Sequence, residues 1–137
     1  VVQFGIDMTP INKGFYTIGY GDLTEEQFLS KLTKANITLL IDVRSAPDTE
    51  RFGRRRMMAL LGNKYRSVPK LGGLQYSPLR YALWRDNVLA ELESIHQWSK
   101  WGAVCVMCAE AEPNRCHRTY FIGRAMKELY TTTPIHL

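Results

Sequence analysis

Cysteine is scarce in this chain, with three residues in 137. Three is an odd count, and two of them sit inside or at the end of a strand pattern, which argues against a disulfide framework. A reducing, cytoplasmic compartment is the matching expectation. No apolar stretch approaches the roughly 20 residues of a membrane span, so no membrane partner is expected. The opening residues lack a basic-then-apolar signal pattern. Histidine is as sparse as cysteine, again three residues. One window lacks acid altogether: from Arg51 to Lys70 there is no Asp or Glu.

That window is dense in base. Arg51, Arg54, Arg55, Arg56, Lys64, Arg66 and Lys70 give it seven positive charges. The whole chain carries +5, so +5 less +7 leaves −2 for everything else. A concentrated basic patch on a near-neutral body suits a nucleotide or nucleic-acid partner, and it equally fits a solvated face. Apolar residues are 45% and charged residues 23%, the balance of a soluble globular protein. The length fits one α/β domain over residues 1–137 with a sizeable core. Oligomeric state has no sequence signal.

Along the chain, Val1-Val2-Gln3-Phe4 suggests a strand fragment and Thr9-Pro10 a loop. Phe15 to Ile18 reads as a first full strand, rich in β-branched and aromatic residues, ending on Gly19-Tyr20-Gly21. Thr24 with Gln27 forms a capping box, and Leu23 can staple to Phe28. Phe28, Leu32 and Ala35 then recur at helical spacing, and Asn36 closes the helix. Thr38 to Arg44 is a near-continuous apolar strand of the kind covered on both faces. Its Asp42 and Arg44 point to one side, either as a structural pair or as part of a crevice. Ser45 to Asp48 reads as a turn, Arg54 to Leu61 as a short helix with Met57, Met58, Leu60 and Leu61 apolar, and Lys64 to Val68 as a third strand. After Pro69, the loop Lys70-Leu71-Gly72-Gly73 can aim backbone N–H groups at an anion.

Ser77-Pro78 marks a helix entry. Leu79, Leu83, Val88, Leu92 and Ile95 fit one or two helices running to about Ser99. Trp84, Trp98 and Trp101 read as packing residues, and His96 as surface or packing. Ala103 to Met107 is a fourth strand, with Cys105 a small buried hydrophobe and Cys108 at the exit. Pro113-Asn114 introduces a last helix whose buried face is Phe121, Ile122, Ala125, Met126 and Leu129. Thr131 to Pro134 is a break, and Ile135-His136-Leu137 starts a last strand.

This alternation predicts an α/β fold of three layers, Rossmann-like, with a mainly parallel sheet of about four to six strands and helices on both faces. In such a sheet the polar strand exits share one edge: Gly19-Tyr20, Asp42 with Arg44, Leu71 to Gly73, and Cys108 to Glu110. The richest exit is Val104 to Arg118, which places Cys108, Cys116 and His117 within ten residues. Cys116, His117 and Arg118 are expected in the first turn of the last helix, where the dipole lowers a thiol pKa and binds phosphate. Arg115 and Arg118 add forked donors, and Glu110 is a candidate base or orienter. The candidate catalytic set is thus Cys108, Glu110, Cys116 and His117. The candidate ligand-binding set is Tyr20, Asp42, Arg44, Gly72, Gly73, Arg115 and Arg118.

Leu40-Ile41-Asp42-Val43-Arg44, Leu71-Gly72-Gly73, Cys108-Ala109-Glu110 and Pro113-Asn114-Arg115-Cys116-His117-Arg118 occur together and in order, after Gly19. In this the chain resembles the family of uncharacterised proteins called domain of unknown function 488, from about Tyr16 to Leu137. The resemblance implies an α/β fold and brings no established activity. Tyr20-Gly21 departs from the His followed by Ser or Asn of many members.

A second similarity is to rhodanese-like sulfurtransferases and cysteine phosphatases, through Asp-Val-Arg after a strand and a later strand ending in Cys. Here six residues separate Cys108 from Arg115, and two are glutamates, which oppose an anionic substrate. Cys108, Cys116 and His117 match no standard zinc spacing, so neither metal nor cofactor is expected. The reading is an uncharacterised protein that binds a phosphate-bearing substrate and is a candidate to process it, with the enzyme question open. The alternatives are a noncatalytic nucleic-acid- or protein-binding module and a rhodanese-like or phosphatase-like thiol enzyme.

Overall fold

The computed structural model describes residues 13–44, 51–72, 78–108 and 117–137, with the side chains of Pro78, Leu79, His117, Arg118 and Thr119 left undescribed. The expectations for Val1 to Phe4, Thr9-Pro10, Ser45 to Asp48, Gly73, Ser77, and Glu110 to Cys116 lie outside the described residues.

Five strands form one parallel sheet: β1 (Gly14–Gly19), β2 (Ile37–Asp42), β3 (Tyr65–Ser67), β4 (Ala103–Cys108) and β5 (Ile135–His136), in the order β3-β2-β4-β1-β5. Among the described residues five α-helices accompany them: α1 (Glu25–Lys34), α2 (Arg54–Leu61), α3 (Pro78–Asn87), α4 (Leu89–Trp101) and α5 (His117–Tyr130). β4 is buried along its whole length, as a central parallel strand with helices above and below must be. Its register sets Gly19 opposite Cys108 and Asp42 opposite Met107, so three strand exits finish level.

Side-chain alternation divides the core into two layers. Phe15, Ile41, Val104 and Val106 face α3, α4 and α5, packing with Tyr81, Trp84, Leu92, Ile95 and Phe121. Tyr16, Ile18, Leu40, Cys105 and Met107 face α1 and α2, packing with Phe28, Leu32 and Met57. The three-layer α/β architecture expected from the sequence is therefore the one observed.

Local signals explain the element ends. Thr24 accepts from the Gln27 amide and the Gln27 side chain accepts from the Thr24 amide, so the capping box is complete. Asn36 follows α1 at φ 55°, the left-handed conformation in which Asn is tolerated. β2 carries one extra residue, Thr38, against β4, and its hydroxyl donates to the Ala103 carbonyl at 3.1 Å.

Some expected core positions are corrected. Leu83 is 64% exposed and Trp101 79% exposed. The helical run breaks at Val88, and α3 buries Tyr81 and Trp84 instead, with Val88 buried at the break, which turns Leu83 outward. Trp101 ends α4 just before the Gly102 cap and is left exposed there. Leu129 is also exposed, with Tyr130 packed against the core and stacked on His96 at 4.1 Å between ring centres. In α2 only Met57 is fully buried, while Met58 is exposed.

Candidate functional site at the β4 exit

The connections from β1 and β2 carry the chain into the α1/α2 layer, whereas β4 hands it to α5 in the opposite layer. The C-terminal end of β4, flanked by β1 and β2, is therefore the topological switch point of the sheet, where open α/β folds leave a crevice for ligands. Four candidate residues gather at this end: Tyr20, Asp42, Arg44 and Cys108. The Tyr20 amide donates to the Cys108 carbonyl at 3.2 Å, and the Val43 amide to the Met107 carbonyl at 3.4 Å.

Asp42 and Arg44 are both fully buried. Arg44 Nε donates to Asp42 Oδ1 at 2.9 Å and Nη2 to Oδ2 at 2.7 Å, a forked pair. The remaining donors turn inward as well, Nη1 to the Arg51 carbonyl at 2.6 Å and Nη2 to the Phe52 carbonyl at 2.7 Å. Tyr65 donates its hydroxyl to Asp42 Oδ2. Burial works against the Arg44 charge, but the bonds to Asp42 and its charge outweigh this and hold Arg44 above its ordinary pKa. Burial, then the bond to Asp42, raises the Tyr65 phenol above its usual range. Of the two readings open in the sequence, this geometry is that of the structural pair: Arg44 ties the end of β2 to the Arg51–Phe52 corner.

That corner holds a left-handed residue, Phe52 at φ 55°. The Phe52 ring stacks on Phe28 at 5.0 Å and leans on Tyr20 at 5.1 Å. Arg51 donates to the carbonyls of Gly21 and Leu23 and lies over the rings of Tyr20 and Phe52. The exits of β1 and β2 are thus bound into one wall. Tyr65 and Phe52 were not singled out by sequence. A buried Asp at a strand end demands donors, and Tyr65 on the neighbouring strand was the available signal; nothing in the sequence marks Phe52.

Cys108 is 2% exposed at the end of β4. By alternation it falls with Val104 and Val106 on the α5 side of the sheet, whereas Asp42 falls with Leu40 on the α2 side. The candidates share an edge but not a face. The nearby Cys105 is buried, and burial pushes its thiol well above the ordinary range. Gly72 is buried with its amide donating to the Pro69 carbonyl at 2.9 Å, so that amide is not presented to an anion. α5 is described from His117 onward, so His117 and Arg118 are its first described residues. Gly73, Glu110, Arg115 and Cys116 lie outside the described residues.

The seven basic residues are all exposed, but they are distributed around the β3 edge. Arg56 pairs with Glu25 at 2.7 Å and Lys70 with Glu91 at 3.6 Å. Arg66 lies over Trp98, while Lys64 lines a cavity beside α1. Arg54 and Arg55 open α2, adding positive charge where the helix dipole is already positive. Among the described residues no group of three or more His, Cys, Asp or Glu side chains stands together as a metal site, and no helix is long and apolar enough to cross a membrane.

Fold and site together define a doubly wound α/β protein with its switch point at a cysteine-bearing strand exit. The chain belongs to the family described as Domain of unknown function DUF488, whose model matches residues 24–124. Comparison with curated proteins and with solved structures gives no match.

Proposed function

We propose that the protein binds a phosphate-bearing ligand, a nucleotide or nucleic acid, at the C-terminal end of β4. The observation that carries this reading is the switch of layers there: β4 ends level with β1 and β2, and the chain resumes in the 14-residue helix His117–Tyr130 of the opposite layer. A helix start at this edge offers free N–H groups and about half a positive charge to an anion, and Arg118 adds a forked donor. Asp42 and Arg44 support the edge and do not touch the ligand, because their polar atoms are consumed within the wall. Processing of the ligand would fall to Cys108, Glu110, Cys116 and His117. The free, buried thiol of Cys105 agrees with a reducing, intracellular setting.

The test is calorimetric titration of the full chain with ATP, AMP and a short single-stranded oligonucleotide at two salt concentrations. Saturable nucleotide binding that Arg118→Ala weakens about tenfold supports the reading. Oligonucleotide binding alone, with a salt slope flattened by alanines at Arg54, Arg55 and Arg56, replaces it with the nucleic-acid module. Heat from none of these ligands rejects both. Thiol chemistry is tested separately by alkylation against pH, comparing Cys108→Ser and Cys116→Ser with the parent. A thiol enzyme shows fast reaction below about pH 8 that Cys116→Ser abolishes. Fast reaction lost in Cys108→Ser moves the nucleophile to the strand exit, and slow reaction of every thiol leaves a binding protein.

A further inference from the structure

We draw no further inference here: the strongest candidate, the open apolar cavity of about 330 Å³ between α1, β2 and the end of α2, carries nothing because nothing in the structure shows what covers it.

Discussion

Replacing Arg44 with Met tests whether the wall behind the site is held by a buried ion pair. The guanidinium is wholly buried, and four of its N–H bonds go to the two Asp42 oxygens and the carbonyls of Arg51 and Phe52. Met fills much of the space but, among the described residues, leaves Asp42 the Tyr65 hydroxyl and the residue-44 amide as donors. Removing one partner of a buried pair costs about 3–5 kcal/mol, set against a total stability of about 5–15 kcal/mol for a domain. We therefore expect Arg44→Met to lose about 4 kcal/mol in urea denaturation followed by circular dichroism at neutral pH. Arg44→Lys should fall between, because one ammonium cannot span the carboxylate and both carbonyls. In the double variant with Asp42→Leu, no charge is left stranded, so the loss should be smaller than the sum of the singles by about 2 kcal/mol or more. An Arg44→Met protein within about 1 kcal/mol of the parent, or additive single variants, would refute the reasoning.

Tyr81 donates to Glu128 at 2.5 Å, and burial, then that bond, pushes its phenol up to about 12. The stability this contributes is fully present below the ordinary phenol value of about 10 and is lost as pH rises through about 12. The same bond holds Glu128 below the usual carboxylate range, so its contribution is lost as pH falls through and below that range. The stability gap between parent and Tyr81→Phe should therefore narrow at both extremes, and a gap independent of pH in urea melts would contradict the assignment. Trp101→Ser should stay within about 0.5 kcal/mol of the parent because the ring is exposed, whereas Trp84→Ala should cost about 3–5 kcal/mol. Equal losses in thermal melts would show that Trp101 packs after all.

Local chemistry made much of the fold legible in the sequence. The Thr24–Gln27 capping box, the apolar runs of β2 and β4, and the Gly102 stop act through near neighbours, and each stands where its residues indicate. The errors at Leu83 and Leu129 share a cause: helical spacing defines an apolar stripe but not which side of it meets the sheet, whereas Trp101 stands at the end of α4, where residue type alone does not secure burial. The gathering of Tyr20, Asp42, Arg44 and Cys108 at one edge followed from parallel strand order. Their division between two faces depends on register, and the full use of Arg44 depends on the carbonyls of Arg51 and Phe52. Backbone acceptors seven and eight residues away leave no trace in side-chain identity.

The site itself is tested most directly by ¹⁵N–¹H spectra of the full chain during titration with ATP. The expected result is saturable movement of the amides of Gly19, Tyr20, Cys108, His117 and Arg118. Saturable movement confined to the amides between Arg54 and Lys70, or no movement at all, would contradict it.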